Sequence, residues 1–561
     1  MSKFTIYQVL PRLFGSYTGQ NLKNGSIEEN GCGKFNYFTA DALQSIKDLG
    51  VTHIWFTGIL EHATKTDYSE VGIRPDHPGV VKGKAGSAYA IKDYYDVDPD
   101  LAESVPDRMK EFEDLVKRTH HEEMKVIIDF VPNHLAREYA SDKRPEGVND
   151  FGANDDPERA FSPANNFYYF PGQAFQPQFD TAGYTEFPAK ATGNDQFSAF
   201  PGINDWYETV KLNYGVDYGD HRRTYFDPIP DTWLKMKEIL LFWASKKVDG
   251  FRCDMAEMVP VEFWEWAIAS VKQQYPDVLF IAEVYNPAEY RNYLFRGGFD
   301  YLYDKVGLYD TLRAVITHQQ SASAITHCWQ ALDGIADRML NFLENHDEQR
   351  IASDFFAGDA QKALPALVVA ATLTNGPFMV YAGQELGEPG MDEEGFSGRD
   401  GRTTIFDYWR VQSLQNWANE GKFNDELLTG EQLELRAFYR RLLNLVITEK
   451  VLQKGEMYDL NYANLQNDLF NPHRQYTFFR KSGNELLLIV ANFDQHAVSL
   501  SINIPSEALS YLQLPETGTY QFSNLLQEGA VINNGVLSSA TPFRVNIEAS
   551  SAVLLKLIRQ F

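Results

Sequence analysis

Along the first 450 residues, short apolar runs alternate with longer charged stretches whose apolar positions recur at helical spacing. Residues 4–10 and 51–56 are strand-like runs, and residues 41–49 between them have helical spacing that Gly50 ends. Residues 107–123 predict a charged amphipathic helix. The run that follows, 125–131, is continuously apolar, as a strand buried on both faces should be. Further strands are predicted at 248–254, 278–283, 299–303, 340–344 and 377–381, with helices between them and one before them at 233–246. Eight strands, each followed by a helix, imply a parallel sheet closed into a (β/α)8 barrel, an α/β fold. A doubly wound open sheet would place a glycine-rich phosphate loop after its first strand, and Leu10-Pro-Arg-Leu-Phe14 is not one.

Two stretches break this texture. Residues from about 136 to about 220 are rich in Asn, Asp, Gly, Pro and aromatics, which suits a compact domain inserted after the third strand. Beyond about residue 450, short strands at 475–479, 485–492, 498–504 and 552–555 are separated by Asn, Gly and Pro, which predicts an all-β C-terminal sandwich. The expected division is a barrel from 1–134 and 221–449, an inserted domain at 135–220 and a sandwich at 450–561.

Charge narrows the partners. With 51 basic and 77 acidic residues the net charge is −26, which repels nucleic-acid backbones and anionic lipid, so neither is an expected partner. Cys32, Cys253 and Cys328 are odd in number and far apart, and form neither a disulfide framework nor a zinc site. The first residues read as a strand rather than a secretion signal, and no apolar run is long enough to span a bilayer; a cytoplasmic location is expected.

In a barrel of this kind chemistry sits where strands end and βα loops begin. Four strand ends carry titratable groups: Asp129 with Asn133 and His134; Arg252 with Asp254; Glu283; and His346 with Asp347. Asp129 lies in a buried run and needs a partner. Arg252 and Asp254, two apart on a strand, share a face, and the guanidinium favours the ionised carboxylate that a nucleophile requires. Glu283 ends an apolar run, whose surroundings should raise its pKa as suits a general acid. Paired carboxylates flanking a scissile bond are what glycoside hydrolysis requires.

Together these segments resemble the four hallmark regions of the α-amylase superfamily, glycoside hydrolase family thirteen, in the family's order. Asp129 to His134 matches D-x-x-x-N-H, Gly250 to Asp254 matches G-F-R-x-D, Glu283 stands in the short glutamate strand, and Asn345 to Asp347 matches N-H-D. The stretches 6–14 and 376–387 are similar to the family's first and eighth strands, and residues 210–213 to an extra region near the end of its inserted domain. The resemblance implies that Asp254 is the nucleophile, Glu283 the acid/base and Asp347 the carboxylate holding the reacting sugar. It further implies that Arg252, His134 and His346 contact that sugar, and that Tyr89 stacks on it. The implied activity is retaining hydrolysis of α-glucosidic bonds in α-glucan oligosaccharides. A glucanotransferase on the same site is the alternative; a non-catalytic binding protein is disfavoured because all three carboxylates are present.

No cofactor is required and no metal ligand is assigned; the resemblance allows a structural calcium, but its usual site is in doubt. Many α-amylases have Lys-His three and four residues after the nucleophile, the histidine lending a backbone ligand to a structural calcium. Glu257 and Met258 occupy those positions here, so that calcium site and the usual leaving-group contacts are not carried over. The acidic run 154–158 lacks EF-hand spacing and reads as a solvated loop. Among the aromatics of the insert, Phe167, Tyr168, Tyr169, Trp206 and Tyr207 divide between a sugar-stacking wall and the insert's own core.

Overall fold

A computed structural model describes residues 3–16, 19–529 and 531–560. Met1, Ser2 and Phe561, which bound the expected first and last domains, lie outside the described residues. Eight parallel strands close a barrel: β1 (Thr5–Val9), β2 (His53–Phe56), β3 (Lys125–Phe130), β4 (Gly250–Cys253), β5 (Leu279–Ala282), β6 (Tyr301–Tyr303), β7 (Met339–Phe342) and β8 (Phe378–Tyr381). Closure is made by β1, which pairs with β2 on one side and β8 on the other.

The two-residue strand period sorts the side chains. Ile6, Trp55, Ile127, Ile281, Leu340 and Met379 fill the barrel interior as one buried cluster. Their neighbours Tyr7, Ile54, Ile128 and Phe251 face outward into the larger core shared with helices such as Arg108–His121 and Asp231–Ser245. Several strands are shorter than their apolar runs. Asp254 and Glu283 stand one residue past β4 and β5, each still held by its N–H to the neighbouring strand, Asp254 to Phe130 O at 2.9 Å and Glu283 to Cys253 O at 3.1 Å.

Between β3 and helix Asp231–Ser245 the insert builds a ribbon, His134–Ala136 against Thr209–Lys211, and a small core that includes Phe175, Ala189, Ala199 and Tyr207. In its acidic run, the Asp155 carboxylate accepts hydrogen bonds from the backbone N–H of Asn166 and Phe167 and from the Tyr169 hydroxyl, so it pins the loop to itself.

The C-terminal part is a six-stranded antiparallel sheet, with Ser551–Arg559 between Glu485–Asn492 and Thr517–Asn524. Its second layer is thin: the ribbon Val498–Ile502/Phe543–Ile547 and a helix, Ser506–Tyr511, over a core that includes Phe479, Leu488, Leu500 and Leu555. The stretch 450–561, expected to be an all-β sandwich, thus includes the helix Lys450–Lys454 at its start and, within the sheet domain, the helix Ser506–Tyr511. Pro505, which stops the strand predicted to run to 504, leads directly into it. Arg480, fully buried, donates to Thr372 O and Gly455 O at 2.8 Å each, tying this sheet to the end of a barrel helix.

Candidate active site

A cavity of about 530 Å³ opens at the C-terminal ends of the strands. Tyr89, His134, Asp254, Glu283 and Asp347 line it. Asp129, Arg252 and His346 lie buried beside them, each hydrogen-bonded or ion-paired to one of the five, so the fold brings all eight sequence-predicted residues together. A larger hollow of about 730 Å³ on the C-terminal sheet, rimmed by residues including Lys454, Lys481 and Glu456, contains none of them.

Arg252 organises the floor. Its Nη1 donates to Asp254 Oδ1 at 2.7 Å and lies 3.7 Å from Asp129 Oδ1. Nη2 lies 2.8 Å from Glu283 Oε2, an ion pair out of line for a hydrogen bond, and Nε donates to the Tyr303 hydroxyl at 3.2 Å. One guanidinium thus serves three carboxylates. Burial raises the Asp254 carboxyl well above the usual range; Arg252 opposes this, while Glu283 and Asp347 push it further up. Arg252 acts in the direction expected from the sequence, favouring the ionised Asp254, but its charge is divided among three carboxylates and burial outweighs it. Asp347 is raised to about 7, by burial and then by Glu283, although its side chain is 42 % exposed; that exposure is to the cavity.

The apolar surroundings expected for Glu283 also give way to a polar setting. Oε2 accepts the Met255 N–H at 2.8 Å and Oε1 accepts the Tyr285 hydroxyl at 2.5 Å. Met255, immediately after Asp254, has φ 43° and ψ 42°, a left-handed conformation that costs a non-glycine residue energy; it aims this N–H at Glu283.

The opposite wall is a relay of neutral groups. His346 Nε2 lies 2.6 Å from the Tyr89 hydroxyl and 3.1 Å from Asp347 Oδ2, and its Nδ1 lies 2.7 Å from Gln8 Nε2. Tyr89 stacks on the His346 ring, with centroids 5.2 Å apart, and donates to Asp129 Oδ1 at 3.3 Å. Asp129 Oδ2 accepts from Trp55 Nε1 and Gly58 N. Burial lowers His134 to about 3 and takes His346 well below the usual range, the latter helped by Arg252, so both imidazoles are neutral. Of the insert's aromatics only Trp206 reaches the cavity, 5.2 Å from His134; Tyr207 belongs to the insert's core, and Phe167 and Tyr168 are buried.

The family's structural calcium does not fit this chain. The buried Lys211 ammonium sits among Asp195 Oδ1 at 2.7 Å, Met258 O at 3.3 Å and Asn133 Oδ1. A cation of the chain's own therefore fills a cradle of oxygens that includes the backbone carbonyl at the position of the family's ligand histidine. Glu257 accepts the Asn286 N–H instead.

Sequence reasoning missed Gln8, Tyr285 and the buried pair of Lys82 with Glu208, 3.0 Å apart in the cavity wall. Gln8 had a signal, a polar residue inside an otherwise apolar strand. Tyr285, two residues after Glu283, had only its spacing, and Lys82 had none.

A family model described as "Alpha amylase, catalytic domain" matches residues 8–427. Alpha-amylase 3 of Dictyoglomus thermophilum is 24% identical over 475 residues, covering 80% of this chain and 78% of that protein. An alpha-1,4-glucan:maltose-1-phosphate maltosyltransferase of Rhodospirillum rubrum is 28% identical over 252 residues, covering 43% of this chain and only 32% of the enzyme. The crystal structure of a noncanonic maltogenic alpha-amylase from Thermotoga neapolitana superposes with a TM-score of 0.64 at 20% identity, covering 99% of this chain and 98% of that one.

Proposed function

The chain belongs to the α-amylase family, and on that premise we propose that it is a retaining glycoside hydrolase acting on α-glucosidic bonds of α-glucan oligosaccharides. The observation that carries this reading is the single Arg252 guanidinium in contact with both Asp254 and Glu283 at the cavity floor, with Asp347 across from them.

In the first step the Asp254 carboxylate attacks the anomeric carbon as the C–O bond to the leaving sugar breaks. Glu283 gives its proton to the departing oxygen. Burial raises the carboxyls of both Asp254 and Asp347, and each is pushed further by the Glu283 charge, while Arg252 opposes the rise at both. In the second step Glu283, now a carboxylate, takes a proton from water while the water oxygen displaces Asp254, and the α configuration is retained. Neutral His134 and His346 suit hydrogen bonding to sugar hydroxyls, and Trp206 and Tyr89 suit packing against sugar faces. Positive charge that builds on the sugar ring meets carboxylates already fixed in place.

The test is a product time course on maltoheptaose, panose and isomaltotriose. Asp254→Asn and Glu283→Gln should each lose at least about 10³-fold in rate. Shorter products of α configuration on maltoheptaose support the hydrolase. Products longer than the substrate would make the enzyme a transferase, the activity in the name of the Rhodospirillum rubrum relative. A β-anomeric first product would refute retention.

A further inference from the structure

Resting on that reading of Glu283, we propose that Tyr285 is the positioning residue that holds Glu283 in its carboxylate form and so sets the upper pH limit of activity.

The argument is geometric. Both Glu283 oxygens receive donors: Oε2 from Met255 N–H, Oε1 from the Tyr285 hydroxyl at 2.5 Å. Hydrogen bonds to a carboxylate favour its charged form. The backbone donor is fixed by the strained turn at Met255. The phenol turns freely about its C–O bond and faces the cavity. It is therefore the one partner of Glu283 that can donate to the carboxylate and then accept from the acid. Burial and the Glu283 charge raise the phenol, which keeps it a donor across the working range. Other charged or titratable groups face Glu283 as well: Arg252 and Asp254 from the end of β4, Tyr303 on β6 through Arg252, and Asp347 after β7. None of these donates a hydrogen bond to Oε1.

During glycosylation the proton on Glu283 goes to the leaving oxygen, and the Tyr285 hydroxyl then donates to the carboxylate that remains. That carboxylate is the base the second step needs. Losing the donor leaves the acid form relatively favoured.

The experiment is the pH dependence of kcat/KM on maltoheptaose for the full-length protein and Tyr285→Phe, with Glu283→Gln as control. Phenylalanine fills the same volume, and its thermal midpoint checks the fold. The expected result is a basic limb displaced upward by about one pH unit in Tyr285→Phe. A basic limb at its original pH, with kcat and KM altered together, would reduce Tyr285 to packing and overturn the proposal. A downward displacement would overturn it too. If Glu283→Gln stays active, the assignment of Glu283 itself fails and this inference falls with it; an inactive Glu283→Gln beside an unmoved limb sinks this inference alone.

Discussion

Lys211→Met tests whether the chain's own cation has replaced a structural metal. The substitution keeps the apolar stem and removes the ammonium. Asn133 Oδ1 and Met258 O lose their donor, and Asp195 loses its ion pair. Lys211 is 2 % exposed and the Asp195 Oδ1 facing it is buried, but the Asp195 side chain as a whole is 31 % exposed, so its carboxylate keeps contact with water and this is not the loss of a fully buried pair. Two orphaned oxygens at about 1 kcal/mol each, plus a partly screened ion pair of up to about 1 kcal/mol, give a loss of about 2–3 kcal/mol. Release of the ammonium's desolvation cost keeps the value at the lower end. The assay is urea unfolding followed by tryptophan fluorescence, comparing first-transition midpoints with and without EDTA, since a multidomain chain need not unfold in one step. The Lys211→Met midpoint should fall, and the unsubstituted protein should be indifferent to EDTA. A midpoint unchanged by Lys211→Met, or an EDTA-induced fall restored by calcium in the unsubstituted protein, refutes the reasoning.

Three further outcomes are expected. Glu61 is buried with neither carboxylate oxygen hydrogen-bonded and Arg108 Nη2 no nearer than 4.0 Å, and burial followed by Asp93 and Asp96 raises it to about 9. Its folded value exceeds the unfolded one, so its contribution to stability is complete below about pH 4 and is lost as pH climbs toward 9. Glu61→Gln should therefore gain roughly 1–3 kcal/mol at pH 9 and little at pH 4, read by denaturant midpoints at the two pH values. Trp206→Ala should raise KM for maltoheptaose about tenfold with kcat held within about threefold, because the ring offers a packing face in the cavity wall and carries no group that exchanges a proton or attacks. Tyr89→Phe removes the hydroxyl between His346 and Asp129 and should lower kcat/KM about 10- to 100-fold; an unchanged value would show that stacking alone matters.

The barrel was legible because its strands are buried on both faces and read as unbroken apolar runs, with 125–131 the plainest. That the eight residues named from the sequence lie together was legible for most of them because they follow barrel strand ends, while Tyr89, in a turn before Ile91–Val97, was placed by the family resemblance alone. What stayed hidden was set by long-range packing. The polar setting of Glu283 comes from Tyr285 and from the Met255 N–H, which is aimed by a left-handed backbone that no local pattern announces. The division of Arg252 among three carboxylates needs three strands placed side by side. Lys211 meets Asn133, Asp195 and Met258 across four chain segments, so its role could not be read from residues 210–213. The helix at Ser506–Tyr511 was masked by the strand texture on either side, with Pro505 the clue left unused.

Barrel closure through β1 and β8 has a consequence for biosynthesis. Thr5 finds its partner Phe378 only after about 370 further residues have been made. At roughly 5–20 residues per second that interval is about 20–75 s. Throughout it, β1 can pair with β2 alone, and its other edge stays open to any extended segment nearby. Gln8, on that same strand, cannot support His346 until the ring shuts, so the site is completed among the last events of folding rather than the first.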